Sequence, residues 1–197
     1  MFPPYPKRSM KMIIDSLYRI NDDDWIAQNK FNGINSVIEI KNKRVLNLWN
    51  RHGKVISPEK FNFSGLQECV NSLNLKEQDV VFLNGEFLHN KIKNQKNSIV
   101  LYDILYYNKP LLSDYPERLK LLTDLIQDVR TPEFQIRLIE SYYDSFIDRY
   151  YEAIQDEDIE GLVLKRKTNS KLRMGNFHYE VDWIMRVRKP KEKVYGF

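Results

Sequence analysis

Six short blocks in this chain carry residue types that can act on a phosphate. The first is Lys30-Phe31-Asn32-Gly33, preceded by Trp25-Ile26-Ala27-Gln28. A lysine amine attacks phosphorus only when neutral, and burial or neighbouring cations drive it toward that state. Gly33, three residues on, lets backbone approach a bound group closely. Arg51-His52-Gly53 is a basic turn after an apolar strand. Leu83-Asn84-Gly85-Glu86 sets one acid inside an apolar run, where a carboxylate needs a partner. Leu101-Tyr102-Asp103-Ile104-Leu105 offers an aromatic ring beside an acid. Glu160-Gly161-Leu162-Val163-Leu164-Lys165 brackets a buried strand with opposite charges. In Trp183-Ile184-Met185-Arg186-Val187-Arg188-Lys189, strand alternation places Arg186 and Arg188 on one face, as paired phosphate grips. Singly, each block has a plainer reading: Lys-x-Asn-Gly is often only a turn, and a buried glutamate only half of a structural ion pair.

Other chemistries lack their signatures. There is no Gly-rich phosphate loop and no dinucleotide fingerprint. His52, His89 and His178 have no metal-ligand spacing with the single cysteine, which argues against a zinc site. No Gly-x-Ser-x-Gly elbow appears. Cys69 lies in an apolar-periodic stretch with Leu66, Val70 and Leu73 and reads as a core filler. One cysteine allows no internal disulfide, which suits a reducing compartment. No apolar run approaches the length of a membrane span, and the first residues lack a signal-peptide core. The expectation is a soluble cytoplasmic chain with no membrane partner. The net charge is +4, with Lys and Arg concentrated in 162–193 and acids in 144–160. That balance suits a polyanion partner without requiring one.

The order and spacing of the six blocks say more than any one of them. From about Trp25 to the C-terminus they resemble the covalent nucleotidyltransferase superfamily of ATP-dependent DNA ligases, RNA ligases and mRNA-capping enzymes. Lys30-Phe31-Asn32-Gly33 resembles that family's Lys-x-Asp-Gly nucleophile motif. The resemblance implies that Lys30 takes AMP from ATP, that Arg51 helps to bind nucleotide, that Glu86 holds the ribose and that Tyr102 stacks on adenine. Glu160 and Lys165 match the Glu-Gly-x-x-x-Lys motif, whose acid serves metal (Mg²⁺ or Mn²⁺) and phosphate. Arg186 and Arg188 fall at the paired basic motif. Gln28, Asn32, Gly33 and Asn35 complete the expected nucleotide contacts.

Three positions depart from the pattern. Asn32 replaces the usual Asp and keeps hydrogen bonding without charge. Gly33-Ile34-Asn35 is similar to one group of RNA ligases. Arg186 replaces a usual Lys, keeping charge but changing reach and geometry. The implied partner is nicked duplex DNA, with RNA as the alternative and a non-catalytic nick-binding relative as a second class. Use of GTP in a capping role ranks below these. The expected organisation is one nucleotidyltransferase domain over 1–197. Only Pro190–Phe197 follow the basic strand, too few for the OB-fold domain with which ligases continue. Closure over the nucleotide is then expected from the nucleic acid, a partner protein or a part of the protein outside this sequence.

The elements that must position these blocks follow from hydrophobic periodicity. Strands are expected over 24–28, 34–40, 44–49, Val80–Leu88, Ile99–Tyr106, Gly161–Arg166 and Val181–Arg188, with a tight turn at Asn42-Lys43. Residues 9–18 read either as a short helix or as an extended arm. Helices are expected over 64–74 with Ser64 as cap, over 114–128 with Asp114 as cap, and over 132–154. The last rests on Thr131-Pro132 and on apolar pairs recurring every four residues from Leu138 to Tyr151. Asn90–Asn97 reads as a polar connector. The fold class is α+β: the nucleotidyltransferase (ATP-grasp-like) fold, with two antiparallel sheets flanking a nucleotide cleft and helices outside.

Overall fold

The structure, a computed structural model, describes residues 8–89, 97–172 and 180–190. Two sheets face each other. In the first, strands β1 (Arg8–Lys11), β2 (Trp25–Phe31), β9 (Ser141–Tyr142), β10 (Ile159–Arg166) and β11 (Glu180–Arg188) run in the order β1-β11-β10-β2-β9. In the second, β3 (Ile34–Lys41), β4 (Arg44–Asn50), β5 (Val80–Leu88), β6 (Ser98–Tyr107), β7 (Val129–Arg130) and β8 (Gln135–Leu138) run in the order β4-β3-β5-β6-β8-β7. The α+β class holds. The expectation of purely antiparallel sheets does not, because β1 pairs β11 and β6 pairs β8 in parallel. Those pairs join segments far apart in sequence, and local patterning cannot register them.

The long strands are apolar runs rich in β-branched and aromatic residues, as in Val80–Leu88 and Ser98–Tyr107. Asn42 and Lys43 take φ of 52° and 57° and turn β3 into β4, the left-handed pair that a two-residue hairpin needs. Helix α1 (Phe63–Asn71) buries Leu66, Cys69 and Val70 against the second sheet, with Leu73 just beyond its end. Its cap is Asn62 rather than Ser64: the Asn62 side chain accepts from the Gly65 N–H at 2.8 Å. Helix α2 (Tyr115–Leu125) has Asp114 at its cap position. That carboxylate is taken instead by the Ser170 N–H at 2.7 Å. The single helix expected over 132–154 is corrected to two strands and a short helix, α3 (Phe146–Ala153). Thr131 does not cap it. Its hydroxyl accepts from the Phe134 N–H at 3.0 Å and closes a turn that feeds β8 into the sheet. Phe134 and Ile136 are buried two residues apart, a strand period, while Phe146 and Tyr150 keep the helical one. Residues 9–18 are both things: strand β1 ends at Lys11, and a 3₁₀ turn runs over Ile14–Arg19. Of the Asn90–Asn97 connector, 90–96 lie outside the described residues. Among the described residues no helix is long and apolar enough to cross a membrane.

Candidate functional site

The facing sheets enclose a cleft of about 620 Å³. Every residue selected from the sequence lines it except Gln28. Two of the side chains reach it through irregularities in the ladders. Ile159 pairs with Phe31 and Gly161 with Lys30, so Glu160 is the extra residue of a bulge in β10. Likewise Asn84 pairs with Asp103 and Gly85 with Leu101, which makes Tyr102 the extra residue of a bulge in β6. A bulge re-aims a side chain relative to its strand, and here both turn toward the same space. Gly161 is obligatory beside the first. Its φ is +142°, and a Cβ would lie 2.1 Å from the Val187 carbonyl. Gly33 and Gly85 also sit under close backbone, with a hypothetical Cβ 2.6 Å from the Phe87 and Val100 carbonyls respectively.

At the centre, Lys30 Nζ lies 2.6 Å from Glu160 Oε2, and Arg188 Nη2 approaches the same oxygen at 3.3 Å. Both Lys30 and Glu160 are mostly covered, so little solvent screens the pair. Arg186, two residues before Arg188 on β11, donates to the Ser9 hydroxyl at 3.2 Å. Glu86 Oε1 accepts from the Gly33 N–H at 3.1 Å. Burial pushes the Glu86 carboxyl up to about 7, against the opposing pull of Lys30 and of that N–H. Arg51 is exposed at the rim, its Nε on His52 Nε2 at 3.1 Å. Asn32 lines the cleft, with its backbone N–H on the Asp158 carbonyl.

The deeper end is aromatic. The Asn35 amide donates to the Tyr102 hydroxyl. Lys165 Nζ lies 4.4 Å from the Tyr102 ring centre and 4.2 Å from that of Tyr115, and donates to the Tyr102 carbonyl at 3.1 Å. Burial pushes the Lys165 amine down to about 7; Asp103 resists and Arg118 adds to the fall. Ile139, Val163 and Ile184 supply apolar wall. Gln28 is buried beneath this floor, its amide on the Tyr115 hydroxyl at 2.7 Å and on Ser141 Oγ at 2.9 Å.

Sequence reasoning missed Ser9, Tyr115 and Arg118. Ser9 arrives through a parallel pairing with β11 that no local pattern announces. Arg118 is fully buried in an ion pair with Asp103, at 2.9 and 3.1 Å, inside a helix whose sequence reads as amphipathic.

Such a site can hold a polyanion by its cations, a planar ring against Tyr102 and a sugar near Glu86, with an amine between them. Among the described residues no group of three or more His, Cys, Asp or Glu could cage a metal ion. A nucleotide-borne Mg²⁺ needs less, since it binds through one or two carboxylates plus phosphate oxygens. Glu160 offers such a carboxylate at the centre of the cleft.

Comparison with known proteins agrees with this geometry. The family model for the ATP dependent DNA ligase domain matches residues 84–184. No curated protein matches the chain. Among solved structures, the ligase domain of M. tuberculosis LigD is 14% identical, with a TM-score of 0.66 over 93% of this chain and 59% of that one. Mycobacterial DNA ligase D complexed with ATP and MES is 16% identical, with a TM-score of 0.60 over 84% of this chain and 54% of that one. An archaeal ATP-dependent RNA ligase is 16% identical, with a TM-score of 0.55 over 94% of this chain and 48% of that one. At these identities the likeness is one of fold, and this chain spans about half the length of each.

Proposed function

The chain belongs to the ATP dependent DNA ligase domain family, and from that premise we propose that it is an ATP-dependent polynucleotide ligase acting through a covalent Lys30–AMP intermediate. The observation that carries the reading is the meeting of Lys30 and Arg188 on one Glu160 oxygen, in a cleft lined by all six blocks. Lys30 Nζ attacks the α-phosphorus of ATP. The N–P bond forms, the bond to the β-phosphate oxygen breaks, and pyrophosphate leaves. Glu160 Oε2, at 2.6 Å, is in reach of the proton that the amine must give up. Lys165, Arg186 and Arg188, which line the cleft, counter charge on the phosphates. Glu160 would hold a nucleotide-borne Mg²⁺ or Mn²⁺, which would supply further charge neutralisation when bound. Tyr102 stacks on the base, Glu86 and Arg51 hold the ribose end, and Asn32 and Asn35 supply neutral hydrogen bonds. AMP then passes to a 5′-phosphate on nucleic acid, and an adjacent 3′-hydroxyl displaces it.

Nicked duplex DNA is the substrate that we assign first. The family model supports it, as do the Arg51-His52-Gly53 turn and the Val187-Arg188-Lys189-Pro190 ending. RNA is the second reading, and Asn35 favours it: its amide holds the Tyr102 hydroxyl from the Gly33-Ile34-Asn35 segment. Sealing of matched nicked duplexes, one all-DNA and one with RNA flanking the nick, separates the two. Faster sealing of the DNA nick supports the assignment, and faster sealing of the RNA nick reverses it.

A further inference from the structure

Among the described residues the two sheets share no hydrogen-bonded ladder. Besides the short Asn32-Gly33 link from β2 to β3, side chains at the cleft floor hold the Lys30 strand at its distance from the Tyr102 strand. Two side-chain links cross to the Tyr102 carbonyl there: Lys165 Nζ on β10 donates to it directly at 3.1 Å, and a hydrogen-bonded chain reaches it from β2 through Tyr115. Gln28 Nε2, on β2 two residues before Lys30, donates to the Tyr115 hydroxyl at 2.7 Å. That hydroxyl donates in turn to the Tyr102 carbonyl at 2.8 Å, on β6. Tyr102 is a bulge residue, and a bulge disrupts its ladder locally; its carbonyl has room for Tyr115 and for Lys165 at 3.1 Å.

Tyr115 is held on every side. Its ring is fully buried, with Lys165 on one contact and the Arg118 guanidinium 5.6 Å from its centre on another. Its backbone N–H goes to Ser170 Oγ at 2.7 Å. Arg118, in the same helix, grips Asp103, the neighbour of Tyr102, and donates to the Ser170 carbonyl at 3.1 Å. A hydroxyl that is both donor and acceptor in such a buried chain polarises its neighbours and resists displacement.

We infer that Tyr115 is a positioning residue for adenylation: with Gln28 it fixes the distance between the Lys30 amine and a nucleotide stacked on Tyr102. This rests on the ligase reading above and gives Gln28 a task other than touching the nucleotide. A misplacement of about 1 Å between reacting atoms costs roughly a hundredfold in rate. Loss of the bridge therefore lowers the rate of Lys30–AMP formation at saturating ATP by about 10- to 100-fold, leaving KM for ATP within about threefold.

The test is single-turnover labelling with α-labelled ATP and Mg²⁺, on wild type, Tyr115→Phe, Gln28→Met and the double variant, each with a thermal melt. Tyr115→Phe keeps the ring and removes only the hydroxyl. Where it fails to fold, Gln28→Met breaks the same bridge from the other strand. The inference expects slow labelling at near-normal KM in folded variants, and a double variant no slower than the slower single. Variants within twofold of wild type, or a loss that disappears when rates are corrected for folded protein, overturn it while leaving the ligase reading intact. A wild type that takes no label overturns the ligase reading and this inference together.

Discussion

Glu86→Gln isolates the cost of placing a carboxyl in the floor of the cleft. Burial raises the Glu86 carboxyl from its ordinary 4.5 to about 7. Each pH unit is worth ~1.4 kcal/mol, so the elevation amounts to about 3 kcal/mol. The sign follows from proton uptake. Between pH 4.5 and 7 the folded state holds the Glu86 proton and the unfolded state has lost it. Stability therefore falls as pH rises through that window, and the cost is fully present above about 7. Glutamine keeps an oxygen for the Gly33 N–H and carries no charge to desolvate. Urea unfolding of wild type and Glu86→Gln at pH 5 and pH 8 reads the difference. The variant is expected to gain about 2.5 kcal/mol relative to wild type between the two pH values, since part of the cost is already present at pH 5, a shift of about 1 M in the urea midpoint. An offset between the two proteins that is equal at pH 5 and pH 8 refutes the argument.

Other perturbations follow from the same geometry. Lys165→Met removes an amine that burial pushes down to about 7 from its ordinary 10.5. Wild-type stability is expected to rise with pH between those values, as the unfolded lysine also loses its proton, and the variant to lack that rise. Denaturant melts at pH 7 and 10 measure it, and the variant is expected to be more stable at pH 7 yet slower in adenylation. Gly161→Ala forces a side chain onto a φ of +142° with its Cβ 2.1 Å from the Val187 carbonyl. It is expected to cost several kcal/mol and to misalign Glu160, read by melts and by adenylation rate.

Much of the fold is written locally. The strands that carry Lys30, Tyr102, Glu160 and Arg186 are apolar runs found within a few residues of their expected bounds, although the first, expected to end at residue 28, extends through Lys30 to Phe31. Residues 132–154 read as one helix from sequence alone, and the misreading has a physical reason. Apolar pairs four residues apart satisfy a helical stripe, and every other apolar residue also satisfies a strand. Pairing of Gln135–Leu138 with β6 decides between them, and that contact is non-local. The same limit explains the parallel pairs and Ser9. The blocks of the cleft were legible because each is a short run fixed by its own strand or turn. Gln28 was legible as part of its block, but its direction was not, because Tyr115 and Ser141 reach it from distant segments. The bulges at Tyr102 and Glu160 likewise depend on the partner strand, although Gly85 and Gly161 beside them are visible in the sequence.

The most direct test of the account is covalent capture of AMP. Folded, nucleotide-free protein and its Lys30→Ala variant are incubated with α-labelled ATP and Mg²⁺ and resolved on a denaturing gel. Label is expected on the wild-type band and none on Lys30→Ala. No label on the folded wild type contradicts it and favours a nick-binding relative without the covalent step.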